Sequence, residues 1–274
     1  MNRLFTFGCS FTNYQWPTWA DTLLYNREGK NFGLSGSGNE SILFRLMEAH
    51  RKYEIGGDDT VIIMFTTPIR WDIIGGEVPE FISYGQVTTV DKLKKYENEL
   101  YSIEGLSFKS YYSIVAIKNY LENNGIKYFF TSLNNIFEDV DNYFVDLRIS
   151  NELKNLMIYV KNNVRFEIPS MYSFLEKRKI IKNKNWGITK KWNGYNDYHP
   201  RPIHHFQFVK EEILPVIGYI DMIGEDEVKK MESIIDGFND FSEYLKYNTN
   251  QYPSLYNKKE GPMVYMRSPK QKLL

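Results

Sequence analysis

Three of the chain's four histidines fall in one short window, DYHPRPIHH, as His199, His204 and His205. Asp197 stands two residues before His199, and Pro200 fixes the turn that follows. A carboxylate at that spacing can accept the Nδ1 proton of the imidazole and leave Nε2 free as a base. Such a base needs a nucleophile. The stretch FTFGCSFT, residues 5–12, holds two candidates: Cys9, the one cysteine of the chain, and Ser10. Ser10 is the better placed hydroxyl, just past the end of an apolar run. Cys9, one residue earlier, is expected to point inward. Each feature also has a plainer reading. Ser10 can end a strand and cap a turn, and Asp197 and His199 can share a local turn hydrogen bond. His204 and His205 do not suggest a metal, because no cysteine accompanies them and no two histidines stand four residues apart. They fit the start of a helix, one of them facing a pocket rim.

The elements that must position these residues alternate between strand and helix. LFTFG (4–8) reads as a buried strand ending in glycine. PTWADTLLYN follows as a helix with Pro17 in its first turn. NFGLSG (31–36) reads as a second short strand. NESILFRLMEAHRKY is a helix with Asn39 as its N-cap and Ile42, Leu43, Leu46 and Met47 on one face. DDTVIIMFTT (58–67) is a continuous apolar and β-branched run, the pattern of a central strand covered on both faces. Residues 75–100 read as irregular and then helical. Residues 107–124 predict a helix closed by Gly125, 126–133 a fourth strand, 141–163 a helix and 164–169 a last short strand. FVKEEILPVIGYI predicts another helix, 223–247 an amphipathic one, and 248–274 an extended or docked tail. This order implies an α/β domain with a mostly parallel sheet, and ligands bind beyond the carboxyl ends of strands in such sheets. Those ends are Gly8-Cys9-Ser10, the run Ser35–Asn39, and Thr66-Thr67-Pro68.

GCSFT, NFGLSGSGN and DYHPRPIHH resemble, in order and rough spacing, the first, second and last blocks of the SGNH (GDSL-like) hydrolases. The resemblance covers roughly residues 1–222. It implies a flavodoxin-like three-layer α/β/α sandwich with a mostly parallel sheet, followed here by a C-terminal helical and extended segment, 223–274. It further implies that Ser10 is the nucleophile, His199 its base and Asp197 the group that orients the base. Gly36 then supplies a backbone N–H to the oxyanion beside that of Ser10. Cys9 stands where many members have Asp. The family's third block usually carries a glycine followed by an oxyanion-binding Asn, whereas this chain has TTPIRWD. Asn39, one turn into the second block, and Arg70 are the candidates to replace that donor. Arg70 and Asp72 can equally form a structural ion pair.

Composition excludes other classes. Lys+Arg and Asp+Glu both number 34, so the formal charge is zero, which argues against a dedicated nucleic-acid binder. A lone cysteine excludes an internal disulfide framework and a cysteine-based zinc site. SGSGN lacks the lysine of a phosphate loop and the spacing of a dinucleotide fingerprint, and no cofactor or metal is expected. No run of about 18 apolar residues predicts a membrane span. The start, MNRLFTFGCSF, lacks a leader pattern, so the expected location is the cytoplasm or, alternatively, a virion. The basic run 177–192, with Trp186 and Trp192, reads either as a solvated loop or as an arm for anionic glycans. The basic tail 258–274 reads as a docking or assembly segment. The expected activity is serine esterase chemistry on an O-acylated, notably O-acetylated, carbohydrate. The alternative is a catalytically weak or inactive structural or glycan-binding protein on the same fold, of phage or viral origin.

Overall fold

The computed structural model describes residues 3–75, 80–86, 102–137, 149–181, 189–218 and 221–251. Four strands make a wholly parallel sheet: β1 (Leu4–Gly8), β2 (Gly29–Gly33), β3 (Thr60–Phe65) and β6 (Lys127–Ser132), in the order β2-β1-β3-β6. Four-residue and longer apolar runs with β-branched side chains favour this conformation. The register aligns Phe32, Phe7, Ile63 and Phe130 across the sheet, on one face. The side-chain period of two sends Leu4, Ile62 and Met64 to the other face.

Each face is covered by helices, which gives three layers. On the first lie α2 (Asn39–Tyr53), α3 (Ile103–Asn123) and α4 (Asn151–Asn163), which contribute Ile42, Leu46, Ile114, Ile117, Leu153 and Val160 to one core. On the second lie α1 (Trp19–Leu24), α5 (Met171–Lys177) and the segment from α6 (Pro202–Phe208) through a wide turn at Val209–Ile213 into α7 (Leu214–Ile217). Cys9 is fully buried in this second core, inward-facing as its position next to Ser10 implied. Burying one Leu, Ile or Phe side chain contributes about 1.5–3 kcal/mol, so the two cores together fix the sheet. The α/β class and the parallel sheet are as the alternation of elements indicated.

Several elements differ from the sequence-based expectation. The first helix begins at Trp19, after Pro17, because the Thr18 N–H donates to Asp21 Oδ2 at 2.8 Å and makes Thr18 the boundary. Helix α2 begins at Asn39 with Gly38 as its N-cap, so Asn39 is not the cap. The interval 75–100 was expected to be irregular and then helical. Its described part is β5 (Glu80–Gln86), antiparallel to β4 (Arg70–Gly75), and residues 76–79 and 87–101 lie outside the described residues. Segment 164–169 is not a strand. Ile168 N–H donates to the Phe130 carbonyl at 3.2 Å, but the Phe130 N–H is taken by the Glu167 carboxylate at 3.1 Å, so a ladder does not propagate. The helix expected over 141–163 starts at Asn151, where the Ser150 hydroxyl accepts the Leu153 N–H. Residues 141–148 lie outside the described residues.

The amphipathic stretch 223–247 is two helices, α8 (Glu225–Gly237) and α9 (Phe241–Gln251). Asp240 restarts the second by accepting the N–H groups of Ser242 and Glu243. Helix α8 packs on the loop that carries the histidine window, and α9 packs on Trp192, shortly before it. Arg201 meets Glu232 at 2.5 Å and Asp236 at 3.0 Å, and Glu232 also accepts the Ile203 N–H at 2.9 Å. Ile235 and Tyr244 join Trp16 and Trp192 in one apolar cluster. The tail beyond 251 lies outside the described residues.

His204 and His205 do begin a helix, α6. His205 is buried, and His204 Nδ1 accepts the Arg201 N–H at 3.3 Å. Burial, and secondarily the Arg201 charge, push the His204 imidazole down to about 4 from its ordinary 6.5. The neutral ring is therefore the folded form. Between pH 6.5 and about 4 the unfolded chain takes up a proton that the folded chain refuses. Stability supplied by neutral His204 is thus complete above pH 6.5 and is lost as pH falls toward 4. Urea unfolding across this range is expected to show that decline, and His204→Asn, which keeps an acceptor and cannot titrate, should flatten it.

Candidate active site

Ser10 follows β1 directly, at the carboxyl edge of the sheet, where β1 lies between β2 and β3. Gly8 is needed for that exit, because a Cβ there would collide with the Thr12 side chain and sit 3.0 Å from the Met64 carbonyl. The chain then turns tightly, with the N–H groups of Thr12 and Asn13 both donating to the Cys9 carbonyl at 2.9 and 3.1 Å. A buried polar network holds the turn from below. Asn31 Nδ2 donates to the Thr12 carbonyl at 2.7 Å and to Asp21 at 3.1 Å, while Asn31 Oδ1 accepts the Gly33 N–H at 3.0 Å. Asn13 Nδ2 adds a bond to the Gly33 carbonyl at 2.9 Å. The loop after β1 is thereby tied to β2 and α1.

His199 and Asp197 arrive from the far end of the chain. A short hairpin, β7 (Lys190–Trp192) with β8 (Tyr195–Asp197), delivers Asp197, and the Thr189 hydroxyl holds the His199 carbonyl at 2.7 Å. Trp16 Nε1 donates to the Pro200 carbonyl at 2.8 Å and so ties this loop to the one carrying Ser10. His199 Nε2 lies 3.0 Å from Ser10 Oγ, and His199 Nδ1 lies 3.0 Å from Asp197 Oδ1. The His199 N–H also donates to Asp197 Oδ1 at 3.0 Å. Asp197 Oδ2 accepts from the Tyr14 hydroxyl at 2.6 Å and from Trp192 Nε1 at 3.3 Å. Burial alone would raise the Asp197 carboxyl. The hydrogen bonds from His199 and Tyr14 outweigh it and hold the group below the usual carboxylate range. Asp197 is therefore ionised at neutral pH, as an orienting carboxylate must be. The arrangement can move a proton from a serine hydroxyl to an imidazole whose far nitrogen is held by an anion. Ser10, His199 and Asp197 form a continuous hydrogen-bonded chain.

No family model matches the chain, and neither does any curated protein. Among solved structures it is similar to a member of the lipolytic protein G-D-S-L family from Veillonella parvula, at 14% identity and a TM-score of 0.45, over 80% of this chain and all of that one. It is also similar to a GDSL-like lipase from Bacteroides thetaiotaomicron, at 13% identity and a TM-score of 0.39, over 84% of this chain and 88% of the other. A third is a catalytic mutant of an acetylxylan esterase from Geobacillus stearothermophilus, at 10% identity and a TM-score of 0.45, over 82% and 97% of the two chains.

The second block lies in the loop between β2 and α2. Gly36 has φ 85, a conformation glycine adopts without strain. The backbone N–H groups of Ser10 and Gly36 donate to no acceptor among the described residues. The expected replacement donor, Asn39, is committed elsewhere. Its Nδ2 donates to the Thr66 carbonyl at 3.1 Å and to Ser110 Oγ at 2.7 Å, and its Oδ1 accepts the Thr66 N–H at 2.9 Å. Both amide hydrogens are used, so Asn39 clamps α2 to the end of β3 and is not an oxyanion donor. Arg70 reaches the loop from beneath, with Nη1 donating to the Ser37 carbonyl at 2.9 Å. Trp192 is a buried support for Asp197, and Trp186 lies outside the described residues.

Sequence reasoning missed Tyr14 and the β7–β8 hairpin, and it offered Asp72 only as an ion-pair partner for Arg70. Asp72 Oδ1 and Oδ2 accept the N–H groups of Gly38 and Ser41, each at 3.0 Å, and so supply the cap of α2 from another strand. The carboxylate also opposes the positive end of the helix. Asp72→Ala strands two buried N–H groups and is expected to cost about 2 kcal/mol in urea-induced unfolding. Asp72→Asn, which retains one acceptor, should recover about half of that loss.

Proposed function

We propose that the protein is a serine ester hydrolase that removes an acyl group, in the first instance acetyl, from the hydroxyl of a carbohydrate. The observation that carries this reading is the continuous chain Ser10–His199–Asp197, with both links at 3.0 Å. In the first step Ser10 Oγ attacks the ester carbonyl while His199 Nε2 takes its proton. The oxyanion receives the backbone N–H groups of Ser10 and Gly36. Collapse of the tetrahedral species expels the alcohol, to which His199 returns the proton, and leaves an acyl group on Ser10. Water, deprotonated by His199, then releases the acid and restores the serine. Asp197 stays ionised throughout and stabilises the imidazolium by holding Nδ1.

The commitment of Asn39 to Thr66 and Ser110 favours a second reading, in which the site binds an acylated glycan and turns it over slowly or not at all. A missing oxyanion donor typically costs about 10²–10³ in turnover.

Hydrolysis of p-nitrophenyl acetate by the wild type, and its loss by at least about 10³-fold in Ser10→Ala, is the expected result. Equal rates in the two proteins would overturn the mechanism. A fluorophosphonate is expected to label Ser10, read by peptide mass spectrometry, and a label on Cys9 would move the nucleophile. Binding on a glycan array that survives Ser10→Ala, without hydrolysis by the wild type, would establish the second reading.

A further inference from the structure

Tyr14 belongs to none of the three blocks, yet it touches two members of the hydrogen-bonded chain. Its ring lies over the His199 imidazole, with centroids 3.7 Å apart and planes 20° from parallel. Its hydroxyl donates to Asp197 Oδ2 at 2.6 Å. We propose that Tyr14 is a positioning residue that fixes the orientation of His199 and of the carboxylate that holds it. The proposal rests on the reading of His199 as the base.

The physical case has three parts. First, the imidazole is constrained in its plane by Asp197 at Nδ1 and Ser10 at Nε2, and these two contacts still permit rotation about the line joining them. A ring stacked at 3.7 Å removes that freedom, and Phe11, tilted with its centroid 5.3 Å from that of His199, adds a further contact. Second, Tyr14 and Trp192 together occupy Asp197 Oδ2, which leaves Oδ1 for the two N–H groups of His199. Third, Tyr14 sits four residues after Ser10 in the same loop, so nucleophile and base are registered against each other by one short piece of chain.

The two halves of the side chain hold two different partners. The ring fixes the plane of the imidazole, and the hydroxyl fixes the Asp197 carboxylate that receives Nδ1. Tyr14→Phe keeps the ring and removes the hydroxyl, so the carboxylate loses one of its two Oδ2 donors. Tyr14→Leu removes both contacts and releases the imidazole.

The test joins kcat and KM on p-nitrophenyl acetate with the NMR signature of the His199 ring nitrogens, in wild type, Tyr14→Phe and Tyr14→Leu. In Tyr14→Phe, kcat should fall about tenfold with KM unchanged, through misplacement of the carboxylate that holds Nδ1, and the single-tautomer signature of the ring nitrogens should weaken. In Tyr14→Leu, kcat should fall by about 10²-fold, and the His199 nitrogens should lose that signature. A Tyr14→Phe protein with unchanged kcat and the wild-type nitrogen signature overturns the proposal, and this near-isosteric variant decides it even if Tyr14→Leu does not fold. Absence of hydrolysis by the wild type would count against the esterase reading alone, because the nitrogen signature reports on Tyr14 without turnover.

Discussion

One buried carboxylate organises this end of the molecule. Asp197 is almost fully buried and ionised. A carboxylate taken out of water and left without partners would cost several kcal/mol, or would simply take up a proton. It stays charged because four donors meet it: two from His199, one from Tyr14 and one from Trp192. These donors come from three places in the chain: the loop after β1, the strand β7 and its own turn. The requirement to satisfy one anion therefore pins together segments that the sequence separates by more than 170 residues.

The demand spreads outward from there. Trp192 can reach Asp197 only if its indole is held, and it is held in the cluster of Trp16, Ile235 and Tyr244. The C-terminal helices α8 and α9 are thus part of the support of the orienting carboxylate, through apolar packing at Trp192 and through the Arg201–Glu232 pair one turn further along. Exposed ion pairs contribute little, about 0–1 kcal/mol. This pair is largely shielded, with side-chain exposures of 10% and 18%, and Glu232 also receives the Ile203 N–H. Removing either partner would leave the other charge buried, which is the costlier event.

What could be read from the sequence divides along a physical line. The strands of the parallel sheet were legible because continuous apolar runs such as TVIIMF have few other ways to be buried. Asp197 and His199 were legible as a hydrogen-bonded pair because their residue types stand two apart, and Ser10, 189 residues away, because it directly follows the first strand at the edge where ligands bind in such sheets. Tyr14 was not, since nothing local distinguishes a tyrosine that caps an imidazole from the other twenty in the chain. The role of Asp72 was hidden for a related reason. A helix cap is sought immediately before the helix, and here it comes from β4, more than thirty residues later. The β4–β5 hairpin was misread because EFISYGQ is short and mixed, and its pairing is fixed by the facing strand more than by its own pattern.

Asp72 and Asn39 together set the character of the loop between β2 and α2. The first turn of α2 would ordinarily present free N–H groups and the positive end of a helix to an anion. Here Asp72 occupies two of those N–H groups and brings its own negative charge to the same place. Asn39, the side chain best placed by sequence to add a donor, is turned toward Thr66 and Ser110. On the proposed mechanism, a developing oxyanion would fall to the backbone N–H groups of Ser10 and Gly36, and the loop that carries Gly36 is held by Arg70 at the Ser37 carbonyl. Backbone donors cost little to reorganise when their loops are fixed, and both loops are fixed by buried hydrogen bonds. On the proposed mechanism the weight of catalysis falls on the alignment of Ser10 with His199, and the loop carrying Ser10, Tyr14 and Trp16 ties the two together through the Tyr14 ring on His199 and the Trp16 bond to Pro200.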